Sequence, residues 1–133
     1  MSDAVELPIA GNSDVVLVRQ EVRTRAQGVG LSLVDQTKLV TAASELARNA
    51  LVYAGGGRAR IEVVSNGLRD GLKLTFTDEG PGIPDLELAL TDGWTTGGGL
   101  GLGLSGSRRL VDEFDLESKP GAGTRVTVIK WAR

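Results

Sequence analysis

The chain has 133 residues, a formal net charge of −2, and neither cysteine nor histidine. That length predicts one domain, residues 1–133, with a hydrophobic core of its own. Disulfides, thiolate metal sites, the usual imidazole proton shuttle and phosphohistidine are excluded, and without a basic field, a signal peptide or a membrane-length apolar run the expectation is a cytoplasmic protein with no nucleic-acid or membrane partner.

VELPIA, Val5 to Ala10, reads as an opening strand. Asn12 and Ser13 are N-cap candidates for a helix through DVVLVRQEVRTRAQ, which Gly28 and Gly30 end. Ser32, with Asp35 three positions on, caps a longer helix, LVDQTKLVTAASELARNALVYA, stopped by Gly55, Gly56 and Gly57. RARIEVVSNG and GLKLTFTDEG read as strands joined in a hairpin through the polar turn NGLRDG. A short helix is expected over Pro84 to Leu90. The glycine run then leads into SGSRRLVDEF, with Leu104, Leu110 and Val111 on a helix face; Arg108 and Arg109 suit its solvated surface, though either could reach a phosphate. FDLESK, a PGAG turn and the alternating strand TRVTVIKW finish the chain. Early helices, a hairpin and one late helix predict an α+β sandwich with helices on one face of a mostly antiparallel sheet.

On a wheel of 3.6 residues per turn, Leu39, Ala42, Ala43, Leu46, Ala50 and Tyr53 of the long helix form an apolar stripe. Lys38, Thr41, Glu45, Arg48 and Asn49 lie on the other side. Glu45 and Asn49, four apart, are neighbours that offer a carboxylate and an amide oxygen, suited to polarising a hydroxyl and holding a metal. A solvated helix face would produce the same pair by chance, although Asn suits a helix interior poorly.

Two glycine-punctuated segments follow. Asp78 ends an apolar strand in TDEGPGIPD, where a carboxylate can accept from an exocyclic amine such as that of adenine. Gly80 and Gly82 would let the chain pass close to a flat base, and an ordinary turn would use the same residues. GGGLGLGL, Gly97 to Leu104, leads straight into a helix, where bare backbone amides form a natural phosphate cradle. It is neither a Walker sequence nor a dinucleotide fingerprint, and its leucines do not suit a flexible linker.

In order, SELARN, YAG, DEGPGIPD, DGWTTGGGLGLGL, GSRRLVDEF and GTRVTVIKWAR resemble the GHKL (Bergerat-fold) superfamily. Across essentially the whole chain they are most similar to its stressosome switch kinases. The resemblance implies an α/β sandwich on a mostly antiparallel mixed sheet, and protein serine/threonine kinase activity with ATP and Mg²⁺. It makes Glu45 the general base and Asn49 the Mg²⁺ ligand. Asp78 would bind the adenine amine in a pocket shaped by Gly80 and Gly82, with Thr124 helping through water. Gly99, Gly101, Leu102 and Gly103 would bring backbone amides to the phosphates in a lid. The implied partners are STAS-domain scaffold or antagonist proteins and, after release, an output protein such as a PP2C-type phosphatase.

Other members of the superfamily are rival readings. A histidine-kinase module needs a phosphoacceptor helix pair and a histidine, and a gyrase- or Hsp90-like ATPase needs further domains. An anti-sigma factor kinase, which sequesters a sigma factor and phosphorylates an anti-anti-sigma STAS protein, has the same fold and stays open. So does a nucleotide-sensing adaptor that transfers nothing.

Overall fold

The computed structural model describes residues 4–82 and 103–133. The helix expected over Pro84 to Leu90 lies outside them, as do Gly99, Gly101 and Leu102. In chain order the elements are β1 (Val5–Ile9), α1 (Asn12–Gly28), α2 (Leu33–Ala54), β2 (Gly57–Ser65), β3 (Asp70–Asp78), α3 (Gly103–Arg109), β4 (Glu113–Ser118) and β5 (Thr124–Trp131).

The sheet order is β1-β2-β3-β5-β4, and every pairing among the described strands is antiparallel. Register aligns the rows that face the helices. Leu7, Ala59, Phe76, Val126 and Leu116 form one row, and Ile61, Leu74, Val128 and Phe114 the next. These residues join Val18, Val22, Leu39 and Leu46 of the helices in a single core. The other face is polar, with Arg60 beside Glu6 and Glu62, and Arg125 paired with Glu117. This is the predicted α+β sandwich, helices on one face only. The outermost strands carry Pro8 in β1 and the alternating acids Glu113, Asp115 and Glu117 in β4, features that discourage further strand pairing.

The helix ends show which local signals suffice. Ser32 Oγ accepts from the Asp35 amide at 3.1 Å, the expected N-cap of α2. At the other end Gly55 takes the left-handed conformation, φ +75°, and its amide and that of Gly56 return to the last carbonyls. The start of α1 differs from expectation. Gly11 is its N-cap, Asn12 and Ser13 lie inside the helix, and Asp14 Oδ2 instead accepts from the Ala10 amide at 2.7 Å. The helix after the glycine run is also shorter than predicted. It ends at Arg109, because the Asp112 amide bonds to the Ile129 carbonyl at 3.0 Å and draws the chain into β4; Leu110 and Val111 therefore lie beyond the helix.

Candidate functional site

The apolar stripe of α2 holds at Leu39, Ala42, Ala43, Leu46 and Ala50, all buried, but Tyr53 is 37% exposed. Glu45 and Asn49 are half-buried, whereas Thr41 and Arg48 are exposed. At 100° per residue, Glu45 and Asn49 fall next to Ala42 and Leu46, at the rim of the buried arc and not on its far side. Neither the Glu45 carboxylate nor the Asn49 amide has a hydrogen-bond or ion-pair partner among the described residues. Two oxygen ligands therefore stand on one helix face without a partner among the described residues.

Asp78 ends β3 on the helix-facing side, in phase with Phe76. Its Oδ1 accepts from the Gly80 amide at 3.0 Å, which fixes the carboxylate plane; Oδ2 has no partner among the described residues. Opposite Asp78 on β5 stands Thr124, and opposite Thr124 on β4 stands Ser118. Side chains directly opposed in this way lie on one face, their Cβ atoms about 5 Å apart. Thr124 Oγ1 and Ser118 Oγ are 2.9 Å apart, and Ser118 Oγ donates to the Gly123 carbonyl at 3.0 Å.

The glycines of the acidic turn have packing reasons. A Cβ on Gly80 would meet Ala54 Cβ at 2.5 Å, so this turn lies against the last turn of α2. Gly82, at φ +77°, sits over the next hairpin, where a Cβ would strike the Lys119 carbonyl; the Gly121 amide donates to the Pro81 carbonyl at 2.7 Å. The Asp78 turn is thus clamped between α2 and the β4–β5 hairpin. Asn49 precedes Ala54 by five residues, about 7.5 Å along the helix axis.

An open groove of about 700 Å³ also borders Asp78, walled by Pro8, Ala10, the Gly55–Gly57 turn and Glu79. Glu45, Asn49 and Thr124 are not on its walls. The groove lies along β1 and shares only Asp78 with the candidate site. Gly103 opens α3, whose Leu104 and Ser107 are buried in the helical layer. Ser118 is the residue that sequence reasoning missed. The PGAG turn announced a hairpin, but Lys119 and Thr124 flank that turn directly, and only the observed register sets Ser118 opposite Thr124.

Residues 34–132 match the model of the histidine kinase-, DNA gyrase B- and HSP90-like ATPases. The chain belongs to this family. Within these ATPases it is 47% identical over 133 residues, all of both chains, to the serine/threonine-protein kinase RsbT of Bacillus subtilis. It is 34% identical over 102 residues to the anti-sigma F factor of Bacillus licheniformis, covering 72% of this chain and 69% of that one. The fold is similar to that of the RsbU and RsbW domains of a Mycobacterium tuberculosis protein, with a TM-score of 0.66 at 19% identity, over 98% of this chain and 33% of that one. It is also similar to the mycobacterial sensor histidine kinase MprB, with a TM-score of 0.59 at 21% identity. The expected GHKL fold is borne out, and the chain is an ATP-using enzyme of the serine/threonine kinase kind. No helix among the described residues is long and apolar enough to cross a membrane.

Proposed function

We propose that residues 1–133 form one cytoplasmic kinase domain that transfers the γ-phosphoryl group of ATP to a serine or threonine of a STAS-domain scaffold or antagonist protein. Once released, it activates an output protein such as a PP2C-type phosphatase. The observation that carries this reading is 47% identity along the full length to a serine/threonine kinase, in a chain whose Asp78 carboxylate is oriented with one oxygen lacking a partner among the described residues.

In this reading Asp78 Oδ2 accepts from the adenine amine, beside Thr124, on a turn shaped by Gly80 and Gly82. Glu45 takes the proton of the substrate hydroxyl as its oxygen attacks the γ-phosphorus and ADP departs. Asn49 suits Mg²⁺ chemistry, because it offers a half-buried amide oxygen with no partner among the described residues. Among the described residues no cluster of three or more Asp, Glu, His or Cys side chains assembles, and Mg²⁺ characteristically takes one or two protein oxygens beside substrate phosphates and water. Asn49 would hold the ion, whose positive charge would offset that of the phosphates.

The anti-sigma F factor relatives support a second reading, in which the chain also sequesters a sigma factor. Incubation with labelled ATP, Mg²⁺ and cognate STAS-domain proteins separates the possibilities. Label on a serine or threonine of a STAS protein is expected. Stoichiometric ATP binding with no transfer would overturn the kinase reading in favour of a nucleotide-sensing adaptor. A sigma factor recovered with the chain from extract would favour the second reading.

A further inference from the structure

We infer that the exposed crest of α2 docks the protein phosphoacceptor, and that Arg48 sets specificity there by pairing with a carboxylate beside the reactive serine or threonine. This rests on the reading of Glu45 as the base given above. At about 100° per residue, Asn49, Glu45 and Arg48 follow one another around α2 in that order, separated by about 40° and about 60°. Asp35 falls within about 40° of Asn49 and reaches Lys130 of β5 at 3.6 Å. The Asn49 flank of the helix therefore faces β5, the strand that carries Thr124. Arg48 lies on the flank away from it. Glu45 thus stands between the residues that would hold the nucleotide and a cation turned away from them. A hydroxyl delivered to Glu45 opposite the phosphates arrives from the Arg48 flank.

The crest has the chemistry to receive an acidic partner. Arg48 and Lys38 are exposed, and neither has an ion pair or side-chain hydrogen bond among the described residues. Arg48 does not close even on Glu45, three residues before it. Thr41 Oγ1 donates to the Thr37 carbonyl at 2.8 Å and Thr37 Oγ1 to the Leu33 carbonyl at 3.0 Å, so these hydroxyl protons are spent on the helix itself. The two cations are the strong donors that remain. Val34 and Val52, 64% and 63% exposed, bound the crest with apolar surface. Along the helix axis Arg48 is about 4.5 Å from Glu45, and Lys38 about 10.5 Å. A carboxylate within a residue or two of the acceptor hydroxyl therefore reaches Arg48, whose planar guanidinium can hold both its oxygens, while Lys38 adds attraction at longer range. The arginines on the outward face of the sheet are paired instead, Arg58 with Glu79, Arg60 with Glu6 and Glu62, and Arg125 with Glu117.

The test is steady-state phosphorylation of a cognate STAS-domain protein by the whole chain at saturating ATP and Mg²⁺. Arg48→Ala should raise KM for the STAS protein about tenfold, the size of one charge-assisted hydrogen bond, and Arg48→Glu should raise it further. Arg48→Lys, which keeps the charge and loses the fork, should fall between wild type and Arg48→Ala. In all three, kcat and the calorimetric affinity for ATP should stay within about twofold, because Arg48 faces away from the nucleotide. Arg69→Glu, the same charge change in the β2–β3 turn, should leave KM where it is. Replacing the carboxylate nearest the phosphoacceptor of the STAS protein by lysine should restore much of the KM lost in Arg48→Glu, a rescue that a merely structural role for Arg48 would not give. A wild-type KM in Arg48→Glu, or no rescue by the swapped substrate, would overturn the inference. So would a loss of ATP affinity in that variant, which would put Arg48 in the nucleotide site. Should Arg48→Glu not fold, Arg48→Gln is read in the same way. If the KM effect appears while Glu45→Gln transfers as wild type does, the docking surface stands and the base reading fails. If the wild-type chain labels no STAS protein, the kinase reading fails and the inference goes with it.

Discussion

Residues 124, 126, 128 and 130 of β5 point toward the helices, and this row begins and ends on a polar side chain. At one end Lys130 is 6% exposed, with Asp35 of α2 at 3.6 Å and Asp112 at 3.5 Å. Asp112 also accepts from the Trp131 amide at 2.8 Å and from Arg133 at 2.5 Å. Every strong group there is turned on another group of the same chain. At the other end Thr124 and Asp78 each spend one bond on their own chain and leave lone pairs unpartnered among the described residues. The first arrangement pins the start of α2 to the sheet. The second, beneath the last turn of the same helix, leaves acceptors for something else. A polar group facing a core signals function when its valences are left over, and architecture when they are closed.

The largest effect expected at the open end is on transfer. Glu45→Gln keeps shape and should lower phosphoryl transfer to a STAS protein by about 10²–10⁴-fold. ATP affinity should hold, and the unfolding free energy from urea titration should change by no more than about 0.5 kcal/mol, because the side chain lies at the rim of the core. Wild-type transfer by this variant would place the base elsewhere. Asn49→Ala should behave differently and weaken Mg²⁺-dependent ATP binding as well as transfer.

The closed end should answer in stability instead. Lys130→Met leaves Asp35 and Asp112 buried against an apolar side chain. The cost should be about 3 kcal/mol, the low end for breaking a buried pair, because both carboxylates are 16% exposed and still reach water. Urea unfolding reads this directly. ATP affinity of the folded variant should change less than about twofold; a larger loss would mean that the two ends are coupled through α2.

This contrast also separates what was legible in the sequence from what was not. Ser32, Asp35 and Gly55 carried the ends of α2, because caps are local chemistry. Strand β5 was read at its observed bounds, Thr124–Trp131, from alternation alone. Asn12 and Ser13 misled, because an Asp two residues on made the capping bond backwards, to Ala10. Lys130 read as one polar residue of a strand end. Its partner Asp35 lies far away in sequence, and nothing local announces that a helix N-terminus will cover it. Of the candidate site, Glu45 with Asn49 followed from helical spacing and Asp78 from its strand end. The contact between the Ser118 and Thr124 hydroxyls did not, since it needs the exact hairpin register that opposes them.

Asp78→Asn should sharpen the contrast at moderate size. Loss of a charge-assisted bond costs about 1.5–3 kcal/mol, so ATP affinity should fall more than about tenfold. The amide of the replacement can donate toward the adenine amine, which adds to the loss. The expected result is a calorimetric affinity change with little change in the urea midpoint, the reverse of Lys130→Met. Unchanged affinity in a folded variant would remove Asp78 from the site.

The smallest effect concerns acid. Burial alone would raise the Asp112 carboxyl, but the Trp131 amide bond and the charges of Lys130 and Arg133 outweigh it and hold the group below its ordinary range. The folded chain thus binds fewer protons at this site than the unfolded chain, whose Asp titrates near about 3.9. The stability contributed is fully present above that value and is lost as pH falls through the folded one. In between, this group can add a slope of at most about 1.4 kcal/mol per pH unit. Asp112→Asn should flatten that part of the acid limb of a urea-midpoint profile, and the gap between wild type and variant should narrow as pH drops below about 4. ATP affinity at neutral pH should not move, because Asp78 and Thr124 lie at the opposite end of the β3–β5 ladder. A parallel offset between the two profiles at every pH would show that Asp112 acts through its hydrogen-bond geometry alone, and the ionic account of the closed end would fail.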